Sequence, residues 1–239
     1  MKKGKKLLIL VSLLSAASAL FAAGTTMEDV CNKLAKHPIT KGEFIQTKTI
    51  KATKRALKSS GEFIFSLDGI MWKTLKPFPS SMIVTTKSVI QVAADGSKTV
   101  IDVSDNQIFG SIATTLVAVF SNDVKQLKAN FNTTFKDKGN DSWELILDPK
   151  DSTIASVMQS LTLGGRNYAT EASIDYIVMT EASGNTIKYE FINQTYPEEL
   201  TQDEKNNLYV VLPNLENNTY IIEFRYRGAI DKISFVVKK

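Results

Sequence analysis

One cysteine and one histidine in 239 residues exclude most of the chemistry a protein can perform with side chains alone. A lone Cys31 cannot form an internal disulfide framework, and a Cys/His nucleophilic pair or a His/Cys metal cage has too few ligands to draw on. Neither a G-x-S-x-G nucleophile elbow nor an H-E-x-x-H helix occurs. Gly164-Gly165-Arg166 has too few glycines for a phosphate-binding loop, and a strand-ending turn accounts for it. No enzyme, cofactor or metal ion is therefore expected. A surplus of one charge is missing as well. The chain holds 29 basic and 25 acidic residues, but four of the lysines fall in residues 1–22, which contain no acid. Without that segment the charges balance, which gives nucleic acid no electrostatic footing.

Long apolar runs are scarce too, and the one that exists is at the start. Lys2, Lys3, Lys5 and Lys6 precede an apolar run from Leu7 to Leu14, and small residues lead to Ala22 and Ala23. That is the plan of a secretory signal, with cleavage after Ala22 or Ala23, and the run is short for a membrane span. An uncleaved anchor is the alternative. Residues 1–22 are read as signal peptide, 23–206 as one domain, and 207–239 as a strand-rich extension packed on it. Export from the cytoplasm into the periplasm follows. Cys31 is preceded by Glu28-Asp29-Val30, which is no lipid-attachment context. It fits the inner face of a helix, where cysteine acts as a small hydrophobe.

That helix opens the exported chain. Thr25 and Glu28 have capping-box spacing, and Met27, Val30, Cys31 and Leu34 share one face. His37-Pro38 ends it. The next residues read as strands: 42–50, 57–66, 69–76, 80–86, 88–94 and 98–103, with Asp95-Gly96 as a hairpin turn. Helical spacing takes over from Asn106 to Asn122, followed by a short helical piece from Asp123 to about Ala129. Strands return at 131–138, 142–148, 156–163, 172–180 and 186–194. A polar, helical stretch covers 198–206, and the tail holds up to three strands, including 220–226 and 232–237. Strands joined by short turns pair antiparallel, and βαβ alternation is absent. The expected fold is mainly β (α+β): about 11 antiparallel strands in a strongly curled sheet, with helices over its open face.

Alternation places Phe63 with Phe65, Ile70 with Trp72, and Met82 with Val84 on one side of successive strands. Such a face suits acyl chains of variable shape; the same face filled by its own side chains is the other reading. In the stretch from Asn106 to Asn122, Ile108, Ile112, Leu116 and Phe120 recur at helical spacing, and no charge stands between Asp105 and Asp123. A surface helix would carry a charged stripe, so this one is either buried or a lid. Lys48, Lys51, Lys54, Arg55 and Lys58 crowd one hairpin without an acid. They form either a solvated loop or a docking patch for anionic headgroups or an acidic partner.

Phe44-Ile45-Gln46-Thr47-Lys48, Ser59-Ser60-Gly61-Glu62-Phe63-Ile64-Phe65, Met71-Trp72-Lys73-Thr74 and Pro77-Phe78-Pro79-Ser80 resemble, in order and spacing, the LolA-like family of outer-membrane lipoprotein carriers. Trp143-Glu144-Leu145 and the turn at Ser183-Gly184-Asn185 extend the resemblance to about residues 26–200. It implies an unclosed barrel with a helical lid over a hydrophobic cavity. Phe44, Phe63, Phe65, Ile70, Trp72, Met82 and Val84 would line that cavity, with Ile108, Ile112, Leu116 and Phe120 on the lid. It also implies a monomeric carrier that takes lipoprotein acyl chains from an inner-membrane release transporter towards an outer-membrane acceptor. Asp in place of Trp72 or Phe65 is then expected to abolish lipid uptake with much of the fold intact. The family's best-known members carry an arginine-proline pair shortly before the strand tryptophan, as a latch for the lid. Ser66-Leu67 stand there instead. Carriage of a glycolipid or another envelope lipid, or a lipoprotein-binding sensor or adaptor, are the alternatives.

Overall fold

In the computed structural model, residues 24–67, 69–85, 88–102, 114–115, 117–208, 218–226 and 229–237 are described. Helix α1 (Met27–Leu34) is followed by β1 (Ile39–Ile50), β2 (Arg55–Ser66), β3 (Gly69–Lys76), β4 (Ser80–Val84), β5 (Ser88–Val92) and β6 (Lys98–Asp102). After α2 (Val124–Asn130) come β7 (Phe131–Gly139), β8 (Ser142–Pro149), the single turn α3 (Ser152–Ala155), β9 (Met158–Asn167), β10 (Ala172–Glu181) and β11 (Thr186–Thr195). Helix α4 (Gln202–Leu208) and the strands β12 (Asn218–Tyr226) and β13 (Ala229–Val237) complete the order.

The first eleven strands form one sheet in the order β6-β5-β4-β3-β2-β1-β11-β10-β9-β8-β7. Every pairing is antiparallel. Strands β1 and β11 meet in the middle, and β6 and β7 are the edges among the described residues, so the sheet curls without closing. The sheet is thus the expected eleven-stranded, unclosed one. Strands β12 and β13 form a separate antiparallel pair, Asn218 opposite Val237. The boundary expected after residue 206 falls inside α4.

The concave side carries the main core. Phe44 stands opposite Phe191 and Gly61, Phe63 opposite Trp72, Trp72 opposite Met82, and Val84 opposite Val89. These join Leu145, Leu147, Leu161, Leu163 and Ile177 from the other half of the sheet in one buried cluster. Helix α1 seals one flank with Met27, Val30, Cys31 and Leu34, the face that helical spacing selects. Its N-cap is Thr26, which accepts from the Asp29 N–H, one residue later than the expected Thr25. Thr25 is occupied elsewhere: its backbone N–H donates to Asp137 on β7. Asn167 at the end of β9 ties α1 down, donating to Thr25 Oγ1 and Asp29 Oδ2 and accepting from Lys33 Nζ. Burial, with Glu28 nearby, pushes the Cys31 thiol up to about 12.

The convex side of β1 to β5 is apolar as well. Ile39, Ile64, Met71, Ile83 and Ile90 pack there under Leu200, which lies in the segment leading into α4. The residues between the inward phenylalanines therefore have their own cover.

Two expectations need correction. Gly164 and Gly165 lie inside β9 and do not end it. The Tyr176 ring occupies the space where a Cβ of Gly164 would stand, and the Ser173 carbonyl lies where one of Gly165 would. Strand β9 itself begins at Met158 because Asp151 caps α3, accepting from the Thr153 and Ile154 N–H groups. Gly61, the glycine of the S-G-x-F-x-F motif, has a similar cause. A Cβ there would strike the backbone of Lys73 at the irregularity between β2 and β3. Gly61→Ala is expected to cost about 1–3 kcal/mol of stability through overpacking, read as a fall in the urea midpoint at unchanged slope.

Candidate functional site

The concave face is not vacant along its whole length. Phe63 and Phe65 lie 4.7 Å apart between ring centroids, tilted at 45°, Phe191 lies 4.7 Å from Phe63 and 5.2 Å from Phe65, and Phe120 closes on Phe65 at 5.3 Å. Residues 114–115 and 117–120 are helical, and Ala118, Val119 and Phe120 press into the main core. This is where the uncharged stretch meets the sheet. Of the lid residues expected from sequence, Phe120 is placed on the rings; Ile108, Ile112 and Leu116 lie outside the described residues. The stretch ends at Asn122, whose left-handed backbone (φ 58°) leads to the Asp123 cap of α2.

Beyond the rings, towards the strand ends at Thr74 and Ser80, a cavity of about 420 Å³ opens. Phe44, Trp72, Met82 and Tyr189 supply its apolar wall, and Gln46, Gln91, Thr74, Thr99, Ser80 and Ser81 its polar one. The register explains the grouping. Gln46 is opposite Tyr189, Met82 is opposite both Trp72 and Gln91, and Gln91 is opposite Thr99, so residues of six strands meet in one space. Tyr189 sits 5.7 Å from the Phe44 ring and 6.0 Å from the Trp72 ring. Burial pushes its phenol up to about 12, so it stays neutral.

Every residue lining this cavity is uncharged. Its size falls in the range of small-ligand pockets, about 300–1,000 Å³. Trp72, 8% exposed, holds a buried indole N–H with no acceptor among the described residues. A buried donor left unpaired costs about 1–3 kcal/mol, which a ligand carbonyl or ether beside it would relieve. Among the described residues, no group of three His, Cys, Asp or Glu could hold a metal ion, and no helix is long and apolar enough to cross a membrane.

Of the cavity residues expected from sequence, Phe44, Trp72 and Met82 line this space. Phe63, Phe65, Ile70 and Val84 lie deeper, in the filled core. Sequence reasoning passed over Tyr189, Gln46 and Gln91. Gln46 is two residues from Phe44 on the same strand, a signal that alternation offered; Tyr189 and Gln91 need the strand pairing. Ser66, at the latch position, donates its hydroxyl to the Gly69 carbonyl at 2.9 Å and closes its own turn.

The basic hairpin divides. Lys48 pairs with Glu181 at 2.8 Å and lowers the carboxyl's pKa, with Asn185 and Ser183 adding hydrogen bonds. Its charge is thus already matched, and Lys48 leaves the candidate patch. Lys51 lies along Gly184 in the facing turn. Lys54, Arg55 and Lys58 are exposed. A second, larger depression of about 910 Å³ begins beside them, with Ile45, Leu75, Pro77 and Ile192 as apolar walls and Glu43, Lys58, Glu62 and Lys76 among its charged ones.

Residues 36–204 match the family model described as outer membrane lipoprotein carrier protein LolA. No curated protein matches the chain. Among solved structures, a LolA superfamily protein from Nitrosomonas europaea is similar at 11% identity and a TM-score of 0.43, over 75% of this chain and 99% of that one. A DUF1329 family protein from Desulfovibrio piger is similar at 9% identity and a TM-score of 0.46, over 77% of this chain and 95% of that one. MucB, solved in complex with MucA(peri), is similar at 11% identity and a TM-score of 0.39, over 87% of this chain and 74% of that one.

Proposed function

Since the chain belongs to the LolA family of outer membrane lipoprotein carriers, we propose that it binds the acyl chains of lipoproteins in the cavity behind Trp72 and Met82 and shuttles them from inner to outer membrane. Family membership points to the periplasm, and the basic, apolar start of the chain fits a signal peptide removed on export. The observation that carries the proposal is the uncharged cavity on the concave face, apolar on the Phe44–Trp72–Met82 side and bearing hydroxyls and amides on the other. That division matches an acyl chain attached through a polar linkage.

Burial of an acyl chain contributes about 0.8 kcal/mol per methylene, more than a carrier can retain if it is to release its load. The filled inner end supplies the opposition. A long chain can enter fully only if Phe120 withdraws from the Phe63–Phe65–Phe191 rings, so uptake trades packed aromatic contacts for lipid contacts. Binding is then net moderate, and an acceptor offering a deeper apolar site draws the lipid away. At the latch position stands Ser66, whose hydroxyl donates to the Gly69 carbonyl, so the latch is missing or differently built.

That missing latch also supports a second reading, in which the cargo is another acylated envelope lipid such as a glycolipid. Native mass spectrometry of the chain isolated from periplasm distinguishes the two. Adducts with the mass of acylated polypeptides are expected. Adducts of glycolipid mass alone would replace lipoprotein with the second cargo, and a chain isolated without any lipid under conditions that retain lipid on a control carrier would remove both.

A further inference from the structure

The most exposed large apolar side chain among the described residues is Phe78, at 79%. It stands in the turn between β3 and β4 with a proline on each side, Pro77 and Pro79. Proline fixes its own φ and confines the preceding residue to extended geometry, so the turn is stiff and Phe78 is held outward. Water is a poor solvent for a ring so placed, and no packing within the described chain offsets the exposure.

The surroundings are basic. Lys76 lies opposite Ser60, which brings the turn alongside the outer part of β2; Lys58 and Pro77 line the same depression. Leu57 and Leu75 are further exposed apolar residues at this end. No acid occurs between Glu43 and Glu62, or between Asp68 and Asp95. Glu43 and Glu62 line the same depression, Glu62 pairing with Lys73 and Glu181 with Lys48, and Asp95 stands in the turn after β5 at this end of the sheet. Arg55, Lys58 and Lys76 are left with no ion-pair partner among the described residues.

We propose that this end of the shell, the Phe78 turn together with the tip of the β1–β2 hairpin, docks on an anionic phospholipid bilayer. Phe78 enters the headgroup–acyl boundary, Leu57 and Leu75 follow it, and Arg55, Lys58 and Lys76 meet lipid phosphates. An apolar anchor ringed by cations is what such an interface selects. The turn leads directly into Ser80 and Ser81 on the rim of the uncharged cavity, so docking presents that cavity to the membrane. The docking goes beyond the carrier reading and does not require the cavity to hold lipid.

The test is flotation of the exported chain, free of cargo, with vesicles of phosphatidylcholine alone or containing a third phosphatidylglycerol. Binding to the anionic vesicles, weakened by salt, is expected. Phe78→Ser lowers the partition coefficient about tenfold to a hundredfold, the worth of burying one phenylalanine. Lys58→Gln and Lys76→Gln each lower it about fivefold. All three sites are exposed, and unchanged thermal melting verifies the fold. Absence of binding to anionic vesicles, equal binding to neutral ones, or indifference to Phe78→Ser would each overturn the proposal. Uptake of a fluorescent fatty acid in detergent-free buffer, measured in parallel, is expected to survive Phe78→Ser. Its loss in the wild type would strike the carrier reading and leave the docking intact.

Discussion

Phe65→Asp is expected to unfold the protein, so that lipid uptake disappears together with the tertiary structure. Phe65 is 2% exposed and touches Phe63, Trp72, Phe120 and Phe191 through its ring. Truncating such a phenylalanine costs about 3–5 kcal/mol, and a carboxylate in its place adds the cost of an unpaired buried charge. Against a total stability of about 5–15 kcal/mol, the loss is decisive. Near-ultraviolet circular dichroism and a urea titration at pH 7 measure it. A variant that melts cooperatively near the wild-type temperature while failing to take up lipid would mean that the rings line an open cavity in solution, as the family resemblance implies. The structure therefore corrects the use of Phe65 as a clean probe of binding. It belongs to the packed end of the shell.

Met82→Asp is expected to separate the two properties. Met82 is only partly buried and lies on the cavity wall opposite Trp72 and Gln91. An aspartate there keeps access to water in the empty protein but places a charge where an acyl chain would run. Loss of a methionine-sized apolar contact lowers affinity about tenfold to a hundredfold, and burying the carboxylate against a bound chain lowers it further. Equilibrium binding of a fluorescent acyl probe gives the affinity, and thermal melting gives the fold. Affinity unchanged within twofold would take the acyl chain out of this cavity. Trp72→Asp falls between the two cases, because Trp72 lines the cavity and also lies 5.5 Å from the Phe65 ring.

The contrast between these residues shows how far alternation carries. Period two correctly places Phe65, Trp72 and Met82 on one face of the sheet. It does not say which of them another part of the chain covers, because Phe120 and Phe191 approach from positions far along the sequence. The same limit hides Ile64, Met71 and Ile83. They alternate with the inward residues on the other face of the sheet, where Leu200, in the segment before α4, packs with them. The apolar stripe of helix α1 was legible, since it is a local signal, and the helix ends at Leu34, shortly before the expected stop at His37-Pro38. Its cap was misplaced by one residue because Thr25 and Thr26 are equally good caps locally. Only the contact with Asp137, more than a hundred residues away, assigns Thr25 another task.

Functional residues divide in the same way. The motif Pro77-Phe78-Pro79-Ser80 is visible in the sequence, yet nothing local tells whether the ring turns in or out. Lys48 looks like its neighbours Lys51 and Lys54 until the β1–β11 pairing carries it to Glu181.

By itself the sequence determined the class of fold, the antiparallel order of short-turn strands, the apolar stripe of α1 and the family, because each of these is written in neighbouring residues and their spacing. Tertiary structure alone decided which part of the concave face is filled and which is open, that the convex face is covered too, and which cations remain unpaired. The physical reason is that burial and charge neutralisation are settled by what approaches from elsewhere in the chain, and the approach of β11 and residue 120 to β2 is a contact no local pattern records.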